Sequence, residues 1–95
     1  MTSKQRAFLR GMANGYEVVL IIGKDGVTDN VLKQADEALE ARELIKIKCL
    51  ETVPAPVREV ATEIVSAVGG DVVQVIGSKA VLYRPAKKPV IVLPR

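Results

Sequence analysis

The chain has 95 residues, of which 48% are hydrophobic and 26% are charged, and this composition is typical of a single small globular domain. Fourteen basic and eleven acidic residues give a net charge of +3, which by itself does not identify a partner. Because there is no histidine and only one cysteine, Cys49, we expect no zinc site, no histidine-based catalytic triad and no internal disulfide bond.

The first predicted element is a short basic helix. Thr2 and Gln5 have the spacing of a capping box, and an apolar stripe at helical spacing follows as far as Asn14. The charged residues of this helix are Lys4, Arg6 and Arg10. A basic start is not the apolar segment of a secretion signal, and no later run reaches the roughly 20 apolar residues of a membrane span, so we expect a cytoplasmic protein with no membrane partner.

A β-branched run and a glycine loop come next. Residues 17–22 (EVVLII) are continuously apolar after Glu17, which predicts a strand that lies buried inside the sheet. The four residues Gly23-Lys24-Asp25-Gly26, called the GKDG loop below, separate this strand from a helix that Thr28 or Asp29 can cap.

The GKDG loop is the most informative local pattern in the chain. Glycines let the backbone approach a ligand closely, and the start of the following helix favours an anion, so the loop is a candidate phosphate site. It is neither a Walker loop nor a dinucleotide-binding fingerprint. The same four residues also suit an ordinary tight turn, and the carboxylate of Asp25 would repel a phosphate.

The second predicted strand, residues 44–50, alternates between apolar and cationic side chains. Ile45, Ile47 and Cys49 share one face of the pleat, whereas Lys46 and Lys48 share the other. The two lysines either contact an RNA backbone or keep that face soluble and protect an edge. With no histidine to activate it, the cysteine is expected to be a buried structural thiol.

A third helix and a hairpin complete the chain. The helix is predicted to start after residues 54–56 and to stop at Gly69-Gly70, and the β-rich runs 72–76 and 80–84 are joined by a short turn. The last segment, residues 86–95, is either an edge strand or an extended tail because it contains two prolines. The order α-β-α-β-α-β-β predicts an α/β (α+β-like) domain with a four-stranded mixed sheet.

Charge is unevenly distributed at the end of the chain. Residues 78–95 contain no acid, and their cations are expected to converge from the hairpin and the tail: Lys79, Arg84, Lys87, Lys88 and Arg95. Arg84 can either stack on a base or form an ion pair with a helix carboxylate such as Glu37 or Glu59. The glutamates of the predicted helices alternate with basic residues, which favours a solvated surface over a catalytic carboxylate pair.

Four segments in order resemble the CRM domain (chloroplast RNA splicing and ribosome maturation) in its stand-alone bacterial YhbY form. They are TSKQRAFLRGMA, VVLIIGKDGVTDNVL, ELIKIK and VQVIGSKAVLYRP, before a final LPR. The resemblance spans nearly the whole chain, so residues 1–95 are interpreted as one CRM-type domain. The fold of that family is similar to the C-terminal domain of translation initiation factor three.

The resemblance implies an RNA-binding protein that is not an enzyme and, for stand-alone bacterial members, one that binds ribosomal RNA of the precursor large subunit and assists ribosome maturation. In that family the GxxG loop is likened to the phosphate-binding loop of KH domains, together with neighbouring basic residues. The candidate RNA-binding residues are Gly23, Lys24, Asp25, Gly26, Lys46, Lys48, Lys79, Arg84, Lys87, Lys88, Lys4, Arg6 and Arg10. We expect a monomer without cofactor, metal or small-molecule substrate. The alternative hypothesis is a protein-protein adaptor that uses the C-terminal strand or a sheet edge.

Overall fold

Three helices and four strands follow one another in the computed structural model, which describes residues 1–95. Their order and the mixed four-stranded sheet confirm the predicted fold class. The elements are α1 (Ser3–Ala13), β1 (Val18–Ile22), α2 (Asp29–Arg42), β2 (Leu44–Cys49), α3 (Val57–Val68), β3 (Asp71–Ile76) and β4 (Lys79–Tyr83). None of the helices has the length and apolar character that a membrane span requires.

The sheet has the strand order β1-β2-β4-β3. β1 and β2 are parallel and are connected through α2, whereas β4 is antiparallel to both of its neighbours, β2 and β3. β4 therefore lies between the two strands that α3 connects. As a result, β1 and β3 form the two outer edges of the sheet.

The helices begin and end where the sequence predicts. Thr2 and Gln5 form a complete capping box at α1, and the hydroxyl of Thr28 accepts a hydrogen bond from the N–H of Val31 at 3.2 Å at the start of α2. α3 stops at Gly69, and Gly70 follows with φ of +116°. A Cβ atom at Gly70 would lie 2.6 Å from the carbonyl oxygen of Tyr83, so only glycine lets the chain pass this close to β4.

Apolar side chains pack on both faces of the sheet. The larger core lies between the sheet and the helices α2 and α3, and it includes Ile22, Leu39, Ile47 and Ile64. The smaller core lies under α1, where Leu9 packs against Leu44, Val81 and Tyr83. Because α1 covers only part of its face, the remainder of that face is open.

Two sequence-based expectations about the strands need correction. The run at 17–22 was expected inside the sheet, but β1 is an edge strand, and the side chain of Ile21 is 58% exposed. β2, whose lysines were considered as edge protection, is instead a central strand. Residues 86–95 form no strand, so the edge-strand alternative is wrong; they are a tail without regular secondary structure that bends at Lys87 and Lys88.

Candidate nucleic-acid interface

The GKDG loop is a tight turn at one end of the sheet. The N–H of Gly26 donates to the carbonyl oxygen of Gly23 at 2.9 Å, and Lys24 and Asp25 are the two exposed residues at the centre of the turn. Gly26 has φ of +68° with open space around its Cα, a conformation that favours glycine. The loop therefore matches the ordinary turn that the sequence allowed, while its centre still faces solvent.

Three further amides, in the loop and directly after it, are unpaired. The N–H groups of Lys24, Asp25 and Val27 make no hydrogen bond within the protein. The helix α2 begins only three residues after the loop, so its first amides add partial positive charge nearby. The loop can thus present backbone N–H groups to an anion, although the Asp25 carboxylate and Asp29 in the first turn of α2 oppose this.

A row of four residues crosses the open face of the sheet beside the loop. These residues are in register on neighbouring strands, and we call them the terminal row: Ile21 of β1, Lys48 of β2, Lys79 of β4 and Ile76 of β3. Residues in register on neighbouring strands share a face, so the two lysines lie directly opposite each other and are flanked by apolar side chains. Both isoleucines are unusually exposed, at 58% and 60%.

A third lysine, Lys46, lies behind the terminal row. Lys46 and Lys79 line a cavity of about 280 Å³ together with Asn14 from the end of α1 and Gln74 from β3. This lysine cavity opens on the same face of the sheet as the terminal row because Lys46 and Lys48 alternate with buried residues of β2. The predicted separation of β2 into a dry face and a cationic face is confirmed.

We call this part of the molecule the loop end, which comprises the GKDG loop, the terminal row and the lysine cavity. None of its lysines forms an ion pair, since the protein's ion pairs involve only Arg84. Asp25 and Glu51, which follows β2, are exposed acids in the same region and are also unpaired. The loop end therefore combines free cations, free amides and exposed apolar side chains.

Arg84 lies at the opposite end of the sheet and is engaged inside the protein. Its guanidinium pairs with the Asp36 carboxylate at 2.6 Å and with Glu40 at 3.5 Å, and it donates to the carbonyl oxygen of Val68 at 2.9 Å. The predicted pairing with a helix carboxylate is correct in kind, but the partners Glu37 and Glu59 were wrong.

The expected convergence of the C-terminal cations is also wrong. Lys79 and Arg84 occupy opposite ends of β4, roughly 16 Å apart at the usual rise per residue. The exposed Lys87 and Lys88 lie beyond Arg84, where the backbone N–H of Lys87 donates to Glu40. Because β4 is extended, residues five positions apart in the sequence lie at opposite ends of the sheet.

The cations of α1 are divided between structural and free positions. Lys4 donates to the backbone oxygen of Arg95 at 3.2 Å, and Arg6 donates to the backbone oxygens of Val72 and Val73. Arg10 makes no hydrogen bond or ion pair and is exposed. Together with Arg58 of α3, a residue not among the predicted contacts, Arg6 and Arg10 line a groove along the edge of β3.

Glu43 has a role that the sequence pattern did not indicate. It ends α2 with φ of +65°, is 1% exposed, and accepts hydrogen bonds from the backbone N–H groups of Ala86, Val90 and Ile91 at 2.8–2.9 Å. Burial alone would raise the pKa of this carboxyl, but the three amide donors lower it below its usual value of 4.5. Glu43 therefore anchors the C-terminal tail and is not a surface residue.

The remaining candidates for chemistry are structural or absent. Cys49 is 4% exposed, and burial raises the pKa of its thiol, which keeps it protonated and confirms the structural interpretation. No group of three acidic or cysteine side chains is placed to hold a metal ion.

Comparison with known sequences agrees with this geometry. The family described as the CRS1 / YhbY (CRM) domain matches residues 1–84. The chain belongs to that family. The match includes the whole loop end of this CRM domain as well as Glu43 and Arg84, and it stops where the C-terminal tail begins.

Individual relatives cover this CRM domain from end to end. The probable RNA-binding protein YqeI of Bacillus subtilis is 42% identical, over 93% of this chain and 92% of that protein. An RNA-binding protein of Haemophilus influenzae is 37% identical, over 100% of this chain and 96% of that one. The solution structure of SAV1595 from Staphylococcus aureus superimposes with a TM-score of 0.84 at 40% identity, covering 99% of each chain.

Proposed function

We propose that this protein binds RNA through the loop end, and that its RNA is ribosomal RNA of the precursor large ribosomal subunit, whose maturation it assists. The observation that carries the proposal is the pair Lys48 and Lys79, opposite each other in the terminal row, neither of which forms an ion pair with an acid. Like charges at directly opposed positions destabilise a sheet. A polyanion bound across the row would offset that repulsion.

The character of the surface supports binding to the RNA backbone. Lysines and free amides are suited to phosphate groups, and the GKDG loop adds both at the edge of the row. Of the three aromatic side chains, Tyr83 is buried in the core beneath α1. With so few aromatics, stacking on several bases is a weak source of affinity here, and recognition rests on shape and phosphate contacts.

The names of the relatives support the same class of ligand, since two of them are called RNA-binding proteins. The choice of precursor ribosomal RNA rests on the resemblance to the stand-alone bacterial form of the CRM domain. No enzymatic step is part of the proposal. Its chemistry is reversible association with phosphate.

The first test compares two double variants with equal changes in charge. Lys48→Ala with Lys79→Ala removes the lysine pair at the loop end, whereas Lys87→Ala with Lys88→Ala removes two exposed lysines near the opposite end. Binding of a precursor large-subunit RNA transcript is measured by filter retention. We expect the first variant to bind roughly 10- to 100-fold more weakly, and the second to change affinity by less than about threefold. Equal effects would remove the loop end from the site.

Salt dependence tests the phosphate contacts themselves. If about four to six phosphates are neutralised, the logarithm of the binding constant should fall with the logarithm of salt concentration with a slope of magnitude roughly 3 to 5. Lys24→Ala combined with Gly26→Asp should weaken binding without unfolding the protein, as checked by circular dichroism. An affinity independent of salt would contradict the proposal.

The choice of RNA is tested by competition and by crosslinking in cells. The labelled precursor transcript is competed with mature large-subunit RNA and with structured RNA of equal length and unrelated sequence. Crosslinks that map to the precursor large subunit support its assignment as the target. Crosslinks spread over unrelated RNAs at equal frequency would leave RNA binding in place but remove the ribosomal part of the proposal.

One observation favours a protein partner as the second candidate. In the tail, Val90 and Val92 are 79% and 84% exposed, which leaves an apolar strip on a segment without regular secondary structure. An adaptor could pair this strip with a strand of another protein. Val90→Ser with Val92→Ser distinguishes the two functions, because an RNA-binding protein keeps its affinity for the transcript in this variant, whereas an adaptor loses its partner in a pull-down experiment.

A further inference from the structure

A groove of about 410 Å³ runs along the outer edge of β3. Its walls carry Arg6 and Arg10 from α1 and Arg58 from the first turn of α3, and its floor is formed by residues 72–75 of β3. α1 and α3 pack on opposite faces of the sheet. The three guanidinium groups therefore approach the same strand edge from both faces, in what we call the arginine groove.

The arginines of the groove are positioned but not neutralised. Arg6 is held by the backbone oxygens of Val72 and Val73, next to the irregularity in β3 pairing. Arg10 and Arg58 are exposed, form no ion pair, and share the groove with no acidic side chain. A guanidinium presents a planar fork of N–H donors that matches two phosphate oxygens at once.

Protection of the strand edge is the simpler explanation of a charge beside β3. Charged side chains on an edge strand prevent it from pairing with another chain. Arg6 already covers the exposed carbonyl groups of β3 by hydrogen bonding to them. Edge protection therefore accounts for Arg6. It does not account for Arg10 and Arg58, whose guanidinium N–H groups have no partner in the protein and lie on opposite sides of β3.

We propose that the arginine groove is a second RNA-binding site, in which Arg10 and Arg58 clasp backbone phosphate of the same RNA that contacts the loop end. This inference rests on the proposed function. The ligand is a sugar-phosphate backbone because the groove offers guanidinium donors and no acid, and because it continues into the first site. Gln74 lines both the arginine groove and the lysine cavity.

The arginine groove and the GKDG loop are separate contacts. The GKDG loop follows β1 and the arginine groove borders β3, so the whole width of the sheet lies between them. Three interstrand spacings amount to roughly 14 Å, so one phosphate cannot reach both. Lys79 lies nearer to the groove, on β4 next to β3, and the lysine cavity shares Gln74 with the groove, so strict additivity of the lysine and arginine substitutions is not expected.

The test uses the intact protein and the same precursor transcript. Arg10→Gln with Arg58→Gln should weaken binding roughly 10-fold and reduce the magnitude of the salt slope by about 1 to 2, because two phosphate contacts are lost. The matched control, Lys87→Gln with Lys88→Gln, removes the same charge and should change affinity by less than about threefold. Arg10→Lys with Arg58→Lys keeps the charge but removes the fork, and it should bind at least about threefold more weakly than the wild type.

The combined variant separates this proposal from the one on which it rests. Joining the arginine pair to Lys48→Ala and Lys79→Ala should weaken binding more than either double variant alone, because the two pairs contact different phosphates of one RNA. If the lysine variant binds weakly while the arginine variant binds like the wild type or like the control, the arginine groove is not a site and the loop end remains one. A wild type with no affinity for the transcript would overturn both proposals.

Discussion

The two ends of the sheet use the same kinds of residues in opposite ways. At the loop end, the lysines and the backbone N–H groups of Lys24, Asp25 and Val27 have no partner within the protein. At the other end, which we call the tail end, Arg84 is paired with Asp36 and Glu40, and Glu43 accepts three backbone N–H groups from the tail. β4 joins the two ends, with Lys79 at one and Arg84 at the other.

If the loop end binds RNA as proposed, β4 carries a stabilising charge at one end and a binding charge at the other. A charge that is paired and partly buried stabilises the fold because its removal leaves polar groups without partners. An exposed unpaired charge contributes little to folding and remains available to a ligand. Substitutions at the tail end should therefore reduce the free energy of unfolding, whereas substitutions at the loop end should reduce affinity for RNA.

The largest effect on stability is expected from Glu43→Gln. The amide keeps the shape of the side chain but loses the charge, and it brings N–H donors toward the amides of Ala86, Val90 and Ile91. We expect the free energy of unfolding to fall by about 2–4 kcal/mol, because hydrogen bonds to a buried charged group are lost together. Urea denaturation measures the change.

The control for Glu43 is Glu40→Gln, at a glutamate whose side chain is 44% exposed. Its contacts with Arg84 and the backbone of Lys87 are close to solvent, so a loss below about 1 kcal/mol is expected. Affinity for RNA should be unchanged in both variants. Equal losses of stability in the two would mean that the tail is not anchored by the buried carboxylate.

A smaller effect should separate the two ends of β4. Arg84→Ala removes the hydrogen bond to Val68 and the ion pair with Asp36, which should cost about 2 kcal/mol of stability with little effect on RNA binding. Lys79→Ala should change stability by less than about 0.5 kcal/mol and weaken RNA binding by roughly threefold to tenfold. Urea denaturation measures the stability of each variant, and filter binding measures the affinity of each variant for RNA. If folded Arg84→Ala lost as much RNA affinity as Lys79→Ala, the two ends of β4 would not be functionally distinct.

Local patterns in the sequence were sufficient for the helices and for the faces of the strands. The capping box at Thr2 and the alternation of Lys46 and Lys48 with buried residues depend on neighbours a few positions away, and both are found as predicted. The position of β1 depends instead on which strands pair. Because β4 inserts next to β2, β1 is left at an edge with Ile21 exposed.

The site was only partly predictable for the same reason. The GKDG loop is a local feature, and the sequence locates it correctly. The carboxylate partners of Arg84 and the backbone partners of Glu43 lie more than 40 residues away along the chain, so the sequence suggested the wrong glutamates for Arg84 and a solvated surface for Glu43. Arg58 reaches the arginine groove only because α3 packs along β3, which no short-range pattern in its own helix indicates.

The smallest expected effect is the dependence of the tail end on pH. Since the three amide donors lower the pKa of Glu43 in the folded protein, its carboxylate stabilises the fold at pH values above about 4.5 and loses this contribution as the pH falls through the lowered pKa. Protonation leaves one oxygen able to accept, so the loss should be smaller than that in Glu43→Gln. The informative quantity is the difference in unfolding free energy between the wild type and Glu43→Gln, because this difference isolates the contribution of Glu43. That difference should shrink between about pH 6 and about pH 3 in denaturant titrations.

A constant difference over this interval would mean that the amides of the tail do not distinguish the ionised carboxylate from the neutral one. The tail would then be held by the packing of Ile91 and Leu93 beneath α1 instead.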